Sequence, residues 1–208
     1  MADAYLRQSP LAHLQLFAAD AGVPEESGVA MREHTHRTMV TLRGDASDEA
    51  FRAAVAEAVG MAPPAEALTA ITRSGRTILW MGPDEWLVVA PAEDREQLPA
   101  ELDSALASMH AATVEVGESM TVIALAGPRA GDVLAKGCTI NLHPSVFGPG
   151  NVVRTLLAKT GIVLHQLSDT PSGETPTYEI YIHRSFADYA WRWLADAGLE
   201  YGVAIAGG

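Results

Sequence analysis

The sequence predicts an α+β protein of two lobes, built from mostly antiparallel sheets with packed helices. Three observations lead there. Apolar runs of strand length occur in adjacent pairs around turn residues, as at 76–81 and 85–90 about Gly82-Pro83-Asp84, and such pairs read as hairpins. Segments of helical periodicity fall between them without the regular strand–helix alternation of a doubly wound parallel sheet. The 208 residues are 48% apolar and 19% charged, enough to bury a globular core and too apolar for a disordered chain. No repeat of about 20–50 residues marks a solenoid or propeller.

Residues 1–27 read as a lead-in. Its apolar stretch, Leu11-Ala12-His13-Leu14-Gln15-Leu16-Phe17, precedes Gly22, Pro24, Glu25 and Glu26, which break any helix. From Gly28 to Arg43, alternating residues such as Met31, Val40 and Leu42 predict one long strand or two paired ones. Ser47-Asp48-Glu49 supplies a cap and an acidic first turn for a helix to about Val59, with Phe51, Val55, Ala58 and Val59 on one stripe and Gly60 as its stop. Strands follow near 68–73, 76–81 and 85–90. A helix over about 94–109 then places Leu98, Leu102, Ala105, Leu106 and Met109 on one face.

Strands at 112–116 and 119–126 lead to a helix opened by Gly127-Pro128 and running to about Ala135, with Pro128 suited to the first helical position. Residues 136–150 hold Gly137, Pro144, Gly148, Pro149 and Gly150 and read as a long irregular connection. Strands near 151–158 and 161–167 precede a polar turn from Ser168 to Pro176, the expected disordered tip. A strand at 177–183 and a helix over about 185–197, ended by Gly198, complete the pattern. The lobes are expected at 28–110 and 111–208, packed closely as one folding unit.

The formal charge of -12, from 26 acidic residues against 14 Lys and Arg, repels phosphate backbones and anionic lipid, which argues against nucleic-acid and membrane roles. No apolar run approaches the ~20 residues of a membrane span. The start, Met1-Ala2-Asp3-Ala4-Tyr5-Leu6-Arg7, lacks the basic and apolar segments of an export signal. Cys138 is the only cysteine, so an internal disulfide and a cysteine-rich metal site are both out of reach; a reducing cytoplasm suits it, as a small buried apolar side chain.

No segment carries a self-sufficient reaction centre. Gly127-Pro128-Arg129-Ala130-Gly131 is the nearest approach to a phosphate-binding turn, but it lacks the G-x-G-x-x-G spacing and Pro128 removes an amide donor. His34 and His36, at i and i+2, share a strand face and offer two zinc ligands, yet nothing at proper spacing supplies the rest. Ser145 in His143-Pro144-Ser145 reads as part of a turn rather than a nucleophile, and Arg43-Gly44-Asp45 as a tight turn before a helix. On the last helix, Phe186, Ala190, Trp193 and Ala197 make one stripe, which leaves Trp191 roughly 140° from Phe186 at about 100° per residue. Trp191 is thus expected to point away from the core, towards another molecule or this chain's own loops.

Four segments carry a family resemblance. They are Trp80-Met81-Gly82-Pro83-Asp84-Glu85-Trp86; Leu125-Ala126-Gly127-Pro128-Arg129-Ala130 with Leu134-Ala135-Lys136-Gly137-Cys138; Asn141-Leu142-His143-Pro144-Ser145-Val146-Phe147-Gly148-Pro149-Gly150 followed by Thr155-Leu156-Leu157-Ala158-Lys159-Thr160-Gly161; and Tyr178-Glu179-Ile180-Tyr181-Ile182-His183 through Trp191-Arg192-Trp193-Leu194. With Ser9-Pro10-Leu11 at the start, they cover nearly the whole chain in order. In this combination the chain resembles the γ subunits of heterotetrameric sarcosine oxidase. More distantly, its Gly-Pro-Arg-Ala turn and Tyr-Glu-Ile strand resemble the folate-binding aminomethyltransferase of the glycine cleavage system, with Glu179 at the strand glutamate. Pro171-Ser172-Gly173-Glu174-Thr175 and Tyr201-Gly202-Val203-Ala204 depart from that family where folate contacts are expected.

The resemblance implies the two-lobed aminomethyltransferase core without its C-terminal barrel. It also implies a non-catalytic, cytoplasmic subunit working with alpha, beta and delta subunits. That complex oxidises sarcosine to glycine with formation of hydrogen peroxide and 5,10-methylenetetrahydrofolate. FAD, FMN, NAD, tetrahydrofolate and zinc are implied in the partners and none in this chain. The candidate subunit interface is Trp191, His143, Pro144 and Phe147. Alternatives are a subunit of a related N-methyl amine oxidase or dehydrogenase, a stand-alone folate-dependent protein, and a binding module with its ligand between the lobes at Trp86 or His143.

Overall fold

A computed structural model of the chain describes residues 7–16, 27–167 and 175–206. Most of the expected polar tip after Leu167, and the helix-breaking residues of the lead-in, lie outside them. In chain order the elements are β1 (Val29–His34), β2 (Thr38–Arg43), α1 (Glu49–Val59), β3 (Ala70–Arg73), β4 (Arg76–Gly82) and β5 (Glu85–Ala90). Next come α2 (Gln97–Leu106), β6 (Ala112–Glu115), β7 (Met120–Ala126), α3 (Ala130–Ala135), β8 (Val152–Leu157) and β9 (Thr160–Gln166). The chain closes with β10 (Thr177–His183), α4 (Ala187–Gly198) and β11 (Val203–Ile205).

Local chemistry fixes several of these. Asp48 accepts a hydrogen bond from the Ala50 amide at 2.8 Å and caps α1; Gly60, at φ 89°, closes the helix in the left-handed region that costs glycine nothing. Gly82-Pro83-Asp84 does turn the chain between β4 and β5, with Gly82 opposite Glu85. Short 3-10 turns precede α2 at Ala92–Arg95 and α4 at Arg184–Phe186.

The strands form two sheets, of order β11-β1-β7-β10-β9-β8 and β3-β4-β5-β2-β6. Every pairing is antiparallel except β1 with β11, a short strand that no periodicity in the sequence announced. β1 and β2 are neither one strand nor a pair. The chain leaves the six-stranded sheet after His34, turns at His36 (φ 59°), and enters the five-stranded sheet at Thr38. It returns between Glu115 and Met120, beside the outward crossing, where the Val116 amide bonds the Met39 carbonyl at 2.8 Å. The five-stranded unit, 38–115, is therefore inserted between β1 and β7. The expected ranges 28–110 and 111–208 are crossed by β1, which joins the larger sheet, and β6, which joins the smaller.

Three apolar layers hold the parts together. α1 and α2 cover the outer face of the smaller sheet through Phe51, Val55, Leu98, Leu102, Trp86 and Val88. α3 and α4 cover the outer face of the larger sheet through Val133, Leu134, Trp191, Leu194, Ile180 and Leu125. The inner faces meet through Met39, Leu79, Leu87 and Val89 on one side and Val122, Val152, Val163 and Tyr181 on the other. A helix–sheet–sheet–helix stack results. Its central strands, such as Trp86-Leu87-Val88-Val89-Ala90, are apolar throughout because both of their faces are covered.

Candidate functional site

The space between the sheets holds a buried carboxylate, Glu179; a second, Glu33, lies on the helix-covered face of the larger sheet and accepts from Ser9 and Thr121. Glu179 and Tyr181 lie at i and i+2 on β10 and share its inner face; His165 on β9 stands directly opposite Glu179. Glu179 is 8% exposed. Its carboxylate accepts a hydrogen bond from the Tyr181 hydroxyl. Around it stand Arg37 Nη2 at 3.8 Å, His34 Nε2 at 3.9 Å and His165 Nδ1 at 3.9 Å. The inner edge opens onto a cavity of about 200 Å³ bordered by Arg37, Thr72 and Thr77.

Burial pushes the Glu179 carboxyl up, but His165, the Tyr181 hydroxyl and the Arg37 guanidinium outweigh it and hold the group below the ordinary carboxylate range. Tyr181 is driven well above its usual value by burial and by the adjoining carboxylate. Burial pushes the His34 imidazole down; Glu179 opposes this, and Arg37 and Arg32 add to it. The cluster is therefore an ionised carboxylate that accepts from Tyr181, with Arg37, His34 and His165 beside it at 3.8–3.9 Å and the buried His165 Nδ1 making no hydrogen bond.

A folded-state carboxyl below its unfolded value stabilises the fold above about pH 4.3 and ceases to as pH falls through the folded value. Glu179→Gln is expected to cost about 1–3 kcal/mol at neutral pH. The gap from wild type should shrink towards about pH 3, on the order of one unit below the ordinary carboxyl value. Urea unfolding of both proteins at the two pH values measures it, and a gap independent of pH would refute the assignment.

The residues singled out in the sequence separate into two groups. His143 and Pro144 are exposed; the Asn141 side chain accepts the His143 amide at 2.9 Å, and His143 Nδ1 lies 2.8 Å from the Ser145 hydroxyl, within one turn. Phe147 is 6% exposed and belongs to the core under the loop. Trp191 corrects the expectation: it is 4% exposed and packs in the same core. The buried face of α4 is Ala187, Ala190, Trp191, Leu194 and Gly198. Phe186 sits in the preceding 3-10 turn, so a helical angle counted from it misassigns the face. Phe186 is 48% exposed, and Trp193 lies half-buried against Gly137.

His34 ends β1 while His36 lies in the turn, so they do not share a strand face. Among the described residues no group of three or more His, Cys, Asp or Glu is arranged to hold a metal ion. The Gly127–Ala130 turn spends its amides on backbone carbonyls: Gly127 on Pro176, Arg129 on Gly28 and Ala130 on Gly127. Cys138 is half-buried, and burial pushes its thiol up to about 11. Trp86 faces α1 and α2, not the space between the lobes. Sequence reasoning missed His165, Arg37 and Tyr181 around Glu179. The Glu179/Tyr181 alternation was available, but the other two depend on strand register.

Two sheets face to face, helices on their outer faces, and a strand glutamate buried between the sheets define the class: an α+β core of two stacked, mostly antiparallel sheets. Aminomethyltransferase T of the glycine cleavage system from Bartonella henselae shares the fold, with a TM-score of 0.65 at 14% identity, covering 95% of this chain and 52% of that one. The family is narrower than the fold. The description "Sarcosine oxidase, gamma subunit family" matches residues 43–200. Sarcosine oxidase subunit gamma of Corynebacterium sp. (strain U-96) is 34% identical over 200 residues, 96% of this chain and 93% of that protein. A chain of the heterotetrameric sarcosine oxidase from Corynebacterium sp. U-96, solved with pyrrole 2-carboxylate, matches with a TM-score of 0.82 and 32% identity, covering 96% of this chain and 98% of that one. The chain belongs to the sarcosine oxidase gamma subunit family.

Proposed function

We propose that this chain is the non-catalytic gamma subunit of a heterotetrameric sarcosine oxidase, supporting assembly with alpha, beta and delta subunits. The observation that carries this reading is the end-to-end match to one chain of such a complex, at 96% and 98% coverage. The assembled enzyme converts sarcosine, oxygen and tetrahydrofolate into glycine, hydrogen peroxide and 5,10-methylenetetrahydrofolate. FAD, FMN, NAD, tetrahydrofolate and zinc then belong to the partner subunits. The internal pairing of Glu179 with Tyr181 suits this role, because the buried carboxylate is engaged by the chain's own groups. Of the four interface candidates, His143 and Pro144 remain on the surface to meet a partner. No helix among the described residues is long and apolar enough to cross a membrane, and a cytoplasmic enzyme is the setting proposed.

Affinity capture of the chain from its native cell, with mass identification and an absorbance spectrum of the eluate, tests the reading. Co-elution with larger chains that carry flavin absorbance is the expected result; recovery of the chain alone, colourless and with no partner, would refute it. Calorimetric titration of the isolated chain with tetrahydrofolate is expected to show no heat. Micromolar binding would favour a stand-alone folate protein instead.

A further inference from the structure

The cavity of about 200 Å³ beside Glu179 has two charged residues in its lining, and their charges are opposite: Arg37 and Glu179. Thr72 and Thr77 add hydroxyls, while Val89 and Leu167 add apolar wall. Much of the hydrogen-bonding capacity there is unspent. The Tyr181 hydroxyl donates to Glu179 Oε2, so Oε1 is left with Arg37 Nη2 at 3.8 Å and His34 Nε2 at 3.9 Å, both beyond hydrogen-bond reach. A direct contact between Arg and a carboxylate is about 2.7–2.9 Å, and this pair stands wider. Among the described residues the Arg37 guanidinium makes no hydrogen bond, although it is rich in N–H donors. Thr72 and Thr77, cross-strand neighbours on β3 and β4, bond each other at 3.0 Å, which leaves one hydroxyl proton to give.

Charge selects the guest. A lone anion would meet Glu179, which its surroundings hold ionised, and a lone cation would meet Arg37. A neutral apolar guest would take water from both and return nothing. A molecule with one charge of each sign, a short step apart, satisfies the two together. Its carboxylate would take Arg37 and a threonine hydroxyl, and its ammonium would take Glu179 Oε1. An α-amino acid carries that pattern across a single carbon. Size narrows the choice, because the cavity is smaller than the ~300–1,000 Å³ pockets of drug-sized ligands. Val89 and Leu167 offer contact to a methyl group rather than to a further polar one.

We propose that this cavity binds a small α-amino acid as its zwitterion, of the size of glycine or N-methylglycine, between Arg37 and Glu179. The site is built from this chain's own residues and does not depend on partner subunits, so its failure leaves the gamma-subunit reading intact.

Calorimetric titration of the purified full chain with glycine and with sarcosine is the test. Saturable binding at millimolar concentration or below is expected. Acetate and methylammonium, each carrying half of the pattern, should bind at least about tenfold more weakly. Arg37→Met should lower the affinity about tenfold or more, and Arg37→Lys, which keeps the charge without the planar fork, should fall between it and wild type. Circular dichroism is expected to show Arg37→Met folded, since no hydrogen bond among the described residues is lost with the guanidinium. No saturable heat from either amino acid overturns the site, as does unchanged binding by folded Arg37→Met. Tetrahydrofolate binding without binding of either amino acid also overturns it. If Arg37→Met fails to fold, equilibrium dialysis of the wild-type chain with labelled glycine decides: displacement by sarcosine but not by equal acetate supports the site, and equal displacement by acetate overturns it.

Discussion

Trp191→Ala is expected to lower the stability of this chain by about 3–5 kcal/mol, with a Tm drop of roughly 6–20 °C. The indole is 4% exposed and belongs to the core shared by α3, α4 and the larger sheet, alongside Val133, Leu134 and Ile180. Removing it leaves a hole between the larger sheet and the helix α3, whose close packing leaves little room for collapse to relieve the loss. Thermal unfolding of the purified variant measures this directly. A change below about 1 kcal/mol would mean that Trp191 lies on the surface after all, since surface substitutions rarely exceed that.

Trp86→Ala is expected to cost about as much, on the other side of the molecule. Trp86 is fully buried, with its ring centroid 5.7 Å from that of Phe51 on α1. Its indole N–H donates to the buried Pro64 carbonyl at 2.9 Å, which ties the segment after α1 to β5. Trp86→Phe separates the two contributions. It keeps most of the packing and strands the carbonyl, at about 1–3 kcal/mol. If Trp86→Phe is as damaging as Trp86→Ala, packing rather than the hydrogen bond was misjudged, and urea midpoints of the two variants would reveal it.

Much of the fold was legible where local chemistry decides. The Asp48 cap, the Gly60 stop and the turn at Gly82-Pro83-Asp84 are consequences of residues close in sequence, and α1, β4 and β5 fall where those residues require. The α+β class and the largely antiparallel pairing follow from the same short-range signals. Partner choice between strands was not legible. The alternation in 28–43 identifies extended chain, but only the left-handed turn at His36 and the crossing beside Val116 send β1 and β2 into different sheets. β11 owes its existence to pairing with β1, and three residues carry no period.

The candidate site was read less completely. Phe147 and Trp191 are large apolar residues of the kind found both in cores and at interfaces, and sequence alone does not separate the two uses. The start of α4 decides the matter: with Phe186 in a 3-10 turn, the buried face passes through Trp191. The neighbours of Glu179 come from β9, β10 and the β1–β2 crossing, so their convergence depends on register and topology.

The account stands on this chain contributing contacts rather than chemistry. The purified subunit, free of other chains, can be given sarcosine, tetrahydrofolate and oxygen, with hydrogen peroxide as the readout. Peroxide at the blank level, restored when the alpha, beta and delta subunits are added, is the predicted result. Sustained peroxide formation by the lone subunit would contradict the account.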